Sequence, residues 1–360
     1  MAASKLEQKL LGILSMVLVA ITVAMCFLVT YFPNVHNVAV SLKDTWYMSG
    51  NTSSMSIIAM LKETPDSEMV VSAAEMLNGH QIRFQLPVGM KEKNVEVLTS
   101  PMDCTVTVKI DGLKSNYIYD YPMIGTGENV VDIIYDNYDE VANFVFQLDD
   151  VCEPIITRED RFIYLDFVDP HEIYDYVVVL DAGHGGDSVG AVKDEVYEKD
   201  INLEMLLCAK EVFDANPYNI KVYYTKTDDT NPSYASRVNL ANYTDADAYI
   251  SIHSNSTSTG RTSDVNGTEV MYRGSDTTGE SKRFAEVVLK NVTGKLGSTD
   301  KGTVVGDEVY IIRTAEVPVA LVEVGFMTNP NELGKLQDHD YQMKLAEGLY
   351  ESVLEYLEIK

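Results

Sequence analysis

The hydropathy pattern of this chain changes period once, near Pro170, and the change divides the chain between two kinds of fold. Before it, apolar residues alternate with polar ones, as in Cys104, Val106, Val108 and Ile110, and again in Phe144, Phe146 and Leu148. A period of two puts one face of a strand on a core. The turn clusters Asp111-Gly112 and Gly125-Thr126-Gly127 separate such runs, and no sustained helical stripe competes. Residues 37–170 are therefore expected to form an all-β module, and no catalytic constellation stands out in it. After Pro170, apolar runs of four to six residues alternate with helical stripes, the pattern of strands buried on both faces between helices. Strands are expected at Tyr176 to Asp181, Ile220 to Thr225, Ala248 to Ile252, Thr268 to Arg273 and Val319 to Val324, with a further strand pair around Val304 to Ile312. Helices are expected from about Glu198, from Ser233 as N-cap to about Tyr243, from Gly279 to Thr293, and at the C-terminus through Leu345, Leu349, Val353 and Leu357. Residues 173–360 thus read as an α/β domain with a mostly parallel twisted sheet flanked by helices.

Leu10 to Phe32 is an uncharged run of 23 residues. As a helix it would be roughly 35 Å long, enough to span a bilayer. It ends in Tyr31, Phe32 and Pro33 rather than a small-residue cleavage site, so an uncleaved anchor is expected. Lys5 and Lys9 precede it and no basic residue follows until Lys43, which places residues 1–9 in the cytoplasm and the rest outside, on a single-pass membrane protein. The 28 basic and 55 acidic residues give a net charge of −27, which repels phosphates and excludes nucleic acid as a partner. Of four cysteines, Cys26 falls in the span and Cys208 on a helix face. Cys104 and Cys152 are the pair whose positions would suit a disulfide, and the sequence leaves open whether they meet.

Three segments at strand ends or helix starts carry polar residues of one chemistry. They are Asp181-Ala-Gly-His184-Gly-Gly-Asp187, Tyr197-Glu198-Lys199-Asp200 and Ser251-Ile252-His253-Ser254-Asn255. Open α/β sheets place ligands beyond the carboxyl ends of their strands. Two imidazoles and a carboxylate, His184, His253 and Glu198, make the three-ligand set that catalytic zinc favours, with a fourth position left for water. Leu321-Val322-Glu323-Val324-Gly325-Phe326 sets a carboxylate inside an apolar run, where an acid is rarely left without a role. Near a metal, Glu323 would serve as general acid/base.

Each piece has a simpler reading. His36, His80, His171 and His339 read as structural residues, Glu198 as a favourable charge at a helix start, and Glu323 as the partner of an arginine such as Arg237 or Arg313. The glycine-rich loop invites a nucleotide-binding reading, but Ser188 stands where the third glycine of that fingerprint belongs, so no nucleotide is expected. His171-Glu172 resembles half of a zinc-protease helix motif, with Asp175 in place of its second histidine.

Taken together and in order, VVVLDAGHGG, EKDINL, SRVNLAN, AYISIHSNS, GTEVMYR and PVALVEVGFMTNP resemble the zinc-dependent N-acetylmuramoyl-L-alanine amidases of the type-3 amidase family over about residues 176–358. The resemblance implies one zinc ion on His184, Glu198 and His253, Glu323 as catalytic acid/base, and peptidoglycan as substrate, agreeing with the residues' own chemistry. Asn255 matches a motif position and is a candidate substrate contact, and Arg237 matches one as a structural residue. Ala182 replaces a common proline and Lys301 a common arginine. Only Ser254 to Gly267 separates the second histidine from the next strand, too short for the helical plug of some relatives. A zinc peptidase acting within the stem peptide and a silent wall-binding protein are the alternatives. The residues do not say whether a protein activates the enzyme.

Overall fold

The computed structural model describes residues 46–48, 59–60, 76–90, 92–121 and 123–360. The expected anchor, Leu10 to Phe32, lies outside them, and among the described residues no helix is long and apolar enough to cross a membrane. Among the described residues before 170, the strands make one six-stranded and one four-stranded sheet, with a one-turn helix at Tyr117–Asp120. The alternation is realised in strand Val141–Leu148, which buries Ala142, Phe144, Phe146 and Leu148.

The chain divides into two compact units. One comprises the described residues up to 95, Lys109–Phe144 and Ile156–Leu165. Phe144 is a hub of its core, met edge-on by Phe84 at 4.9 Å and at a tilt by Tyr135 at 4.8 Å between ring centroids. The other unit comprises Glu96–Val108, Val145–Ile155 and Asp166–Lys360. Within it, Glu153 accepts a hydrogen bond from Tyr223 Oη at 2.6 Å and pairs with Lys221 at 2.7 Å. No disulfide joins Cys104 to Cys152. Burial pushes their thiols up, to about 11 and about 12, with nearby aspartates adding to the effect.

The second unit is built on six strands: β1 (Tyr176–Ala182), β2 (Ile220–Tyr224), β3 (Ala248–Asn255), β4 (Thr268–Tyr272), β5 (Asp300–Val305) and β6 (Val319–Phe326). Their order is β2-β1-β3-β6-β4-β5. All neighbours are parallel except β4 and β6, which run antiparallel. Besides the one-turn helix Pro170–Ile173, its helices are α1 (Glu198–Asp214), α2 (Tyr234–Tyr243), α3 (Glu280–Leu296), α4 (Tyr310–Thr314), α5 (Pro330–Leu336) and α6 (His339–Tyr356). The α/β expectation therefore holds.

One local expectation does not. Instead of a strand pair around Val304 to Ile312, the chain forms β5, turns at Gly306, where Val309 N–H bonds back to the Gly306 carbonyl at 2.8 Å, and enters α4. An apolar run as short as Val309 to Ile312 fits a buried strand or a helical turn equally well. Helix geometry wins here because it buries the adjacent Ile311 and Ile312 together, whereas a strand would send them to opposite faces.

Strand parity sorts the sheet's side chains. Val178, Leu180, Ala182, Ile250, Ile252, Ala320 and Val322 share one core with Ile201, Met205, Phe284, Val288, Leu345 and Leu349 of α1, α3 and α6. Each Val, Leu, Ile, Met or Phe side chain among them contributes roughly 1.5–3 kcal/mol on burial, the alanines less. The odd-numbered residues point to the other face, so Asp181, His253 and Glu323 rise together from three adjacent strands. His253 and Glu323 are direct partners in the β3–β6 register, and the register shifts by a bulge immediately afterwards, before Asn255.

Candidate metal and acid/base site

His184, Glu198 and His253 come together at the carboxyl ends of β1 and β3, with one ligand atom from each lying within 4.8 Å of the others. Glu198 is the first residue of α1 and sits between the rings. Its Oε2 is 3.2 Å from His184 Nε2 and its Oε1 is 3.0 Å from His253 Nδ1. It also accepts bonds from Ala191 N at 2.8 Å, Ser254 N at 3.3 Å and Asn202 Nδ2 at 3.1 Å. Burial alone would raise this carboxyl, but hydrogen bonds from the two histidines hold it far below the usual range. His253 is pulled the other way: burial lowers it, while Glu198 and the nearby Glu323 more than offset that and raise it. Such a carboxylate, ionised and fixed between two imidazoles, is a donor set suited to a divalent cation.

Glycine is required where these rings pack. A Cβ on Gly183 would lie 2.2 Å from His253 Cε1, and a Cβ on Gly190, at φ +68°, would lie 2.5 Å from Glu198 Oε2. His184 itself has φ +66°, a conformation rare for a residue with a side chain. Its carbonyl is gripped by Lys226 Nζ at 2.6 Å and Arg237 Nη2 at 2.7 Å. Arg237 is buried and paired with Asp181 at 2.6 Å, and Asp181 also accepts from Thr225 and Ser251 hydroxyls, each at 2.6 Å. Arg237 is thus structural, as expected. The sequence reading passed over Lys226 and Asn202, although Asn202 stands one helical turn after Glu198, a spacing that puts both on one face of α1.

Among the described residues Glu323 has no arginine partner. Arg237 is taken by Asp181, and Arg313 donates to the carbonyls of Asp307 and Glu308. Glu323 Oε2 is buried without a hydrogen-bond partner. Burial raises its carboxyl to about 7, with Glu198 and Glu269 adding to the rise and His253 opposing it. Asn255 ends β3 half-buried, its Oδ1 accepting from Ser256 N at 2.7 Å. Among the described histidines outside the group, His171 bonds the Asp245 carbonyl at 3.0 Å, His339 contacts Cys208 and His80 stacks on Tyr164. His36 lies outside the described residues.

The raised Glu323 carboxyl has a consequence for stability. The folded chain holds this proton more tightly than the unfolded chain, whose carboxyl titrates near 4.5. Keeping it folded therefore costs nothing below the unfolded value, and the cost grows to about 3 kcal/mol as pH passes 7. Glu323→Gln, which cannot ionise, should raise the melting temperature of the metal-free protein at pH 8 and change it little at pH 4.5. An equal change at both pH values would show that the carboxyl is not held neutral.

Comparison with known proteins agrees with this geometry. Residues 178–355 match the family model described as N-acetylmuramoyl-L-alanine amidase. Over 180 residues the chain is 31% identical to the N-acetylmuramoyl-L-alanine amidase LytC of Bacillus subtilis, covering 50% of this chain but only 35% of that protein. An uncharacterized B. subtilis protein, YqiI, is 34% identical over 186 residues, covering 50% of this chain and 84% of the relative. The catalytic domain of CwlV, an N-acetylmuramoyl-L-alanine amidase from Bacillus (Paenibacillus) polymyxa, is 38% identical, with 51% of this chain and 99% of that one covered and a TM-score of 0.48. The family model over residues 178–355 and the relative matched over 84% of its length agree, and the chain belongs to the N-acetylmuramoyl-L-alanine amidase family of hydrolases.

Proposed function

We propose that this chain is a zinc-dependent, membrane-anchored amidase that hydrolyses the bond between the lactyl group of N-acetylmuramic acid and L-alanine in peptidoglycan. The observation that carries the reading is the Glu323 carboxyl, whose Oε2 is buried without a hydrogen-bond partner among the described residues, in register on the neighbouring strand with His253 of the His184, Glu198, His253 group. Those three residues would hold zinc, whose ligand preferences they fit. When bound, zinc supplies Lewis-acid polarisation of the scissile carbonyl and acidifies water. Glu323 takes a proton from the attacking water and returns it to the leaving alanine nitrogen, so that the C–N bond breaks to a carboxylic acid and a free amine. A carboxyl poised near neutrality suits both halves of that transfer. Asp181, Arg237 and Lys226 hold His184 in place, and Asn202 and the Ser254 amide hold Glu198.

Incubating the full chain with purified peptidoglycan, with and without chelator, and identifying new amino termini by mass spectrometry tests the reading. New N-terminal alanine that vanishes with chelator is expected. New termini at other residues would make the chain a stem-peptide peptidase instead.

The anchor is proposed from Leu10 to Phe32 alone, with residues 37–360 outside the membrane. The mature protein should keep its N-terminus and fractionate with membranes. A mass lacking residues 1–32 would turn the anchor into a cleaved signal.

A further inference from the structure

Beside the two histidines lies a cavity of about 260 Å³ whose floor is His184 and His253 and whose walls include Tyr234, Val309, Tyr310 and Ile311. This is slightly below the roughly 300–1,000 Å³ usual for small-molecule sites, room for one ring-sized group. Tyr234 and Tyr310 are the first residues of α2 and α4, so both rings spring from fixed helix starts. Their centroids are 6.2 Å apart with planes 32° from each other. They stay 59% and 39% exposed, and no hydrogen bond engages either hydroxyl among the described residues. The Arg313 guanidinium lies 5.8 Å from the Tyr310 centroid and is tied to backbone carbonyls. Two large rings side by side at the mouth of such a cavity offer a ready aromatic surface for a ligand.

The chemistry of the lining selects what that is. The charged residues in it, Asp181 and Arg237, are buried and paired with each other. Apart from the metal at its floor, the lining offers the carboxylates of a peptide stem no unpaired side-chain cation, and the net charge of −27 disfavours it further. A sugar ring is neutral, has apolar C–H faces for aromatic contact, and carries hydroxyl and acetamido groups that can meet tyrosine hydroxyls. We infer that Tyr234 and Tyr310 form the saccharide subsite, holding the muramyl ring while its lactyl arm reaches across the floor of His184 and His253. This rests on the amidase reading above and adds to it which side of the scissile bond this cavity takes.

A contact to the sugar, remote from the breaking bond, binds ground state and transition state alike, so its loss raises KM and spares kcat. The test uses the full-length, zinc-loaded enzyme and a muramoyl-L-alanyl peptide, with Tyr234→Ala, Tyr310→Ala and the corresponding Phe variants. The Ala variants should raise KM about tenfold each with kcat within about twofold, and the Phe variants should keep most of the affinity. Calorimetric titration with the free stem peptide, which has no sugar, should give the same result for wild type and Ala variants. An unchanged KM in both Ala variants, or a loss of stem-peptide affinity as large as the rise in KM, overturns the subsite while leaving the amidase reading intact. Absence of wild-type cleavage at the lactyl–alanine bond overturns both.

Discussion

Glu323→Gln is expected to fold, keep its zinc and lose at least two decades of turnover. The side chain is nearly isosteric and belongs to no ligand set, so metal content should stay at the wild-type level. A general acid/base typically contributes about 10²–10⁴-fold in rate, and an amide in its place can neither accept the water's proton nor return it. The structure sharpens this expectation, because the buried Oε2 has no partner whose loss would unfold the site. Had Glu323 been an arginine's partner, the same change would have weakened the fold and spared turnover per folded molecule. Parallel measurement of zinc content, melting temperature and kcat on a muramoyl-peptide separates the outcomes, and near-normal kcat in a zinc-loaded Gln variant would sink the assignment.

The second large effect is loss of metal. His184→Ala or His253→Ala removes one of three donors, and either should lower zinc occupancy sharply and take activity with it. Glu198→Gln should do the same by a different route. It removes the anionic donor, and it also sets an amide between two imidazoles that the carboxylate now bridges at 3.2 Å and 3.0 Å. Metal analysis of the purified variants after dialysis gives the answer, and full occupancy in both His→Ala variants would mean that these are not the ligands. Glu198→Gln and Glu323→Gln are the informative pair, since the two glutamates should fail differently: the first without metal, the second with it.

What the sequence by itself determined is the family and the rough placement of the residues that could carry its chemistry. Periodicity distinguished the β-rich part from the α/β part, because burial of one or both strand faces leaves a direct imprint on the order of residues. His184, Glu198, His253 and Glu323 were legible because polar residues interrupt apolar runs at strand ends or open a helix, positions where a buried charge needs a reason. Two things were beyond it. Local segments of ambiguous pattern, such as Val309 to Ile312, took their form from the core they had to fill, which placed Tyr310 at a helix start rather than in a strand. Distances between remote positions were the other: that Lys226 and Arg237 grip one carbonyl, that Glu323 is spared an arginine, and that Tyr234 faces Tyr310 follow from how strands align and helices dock. Such contacts are fixed by the summed packing of the sheet, not by any signal local to the residues that make them, so only the tertiary structure decided them.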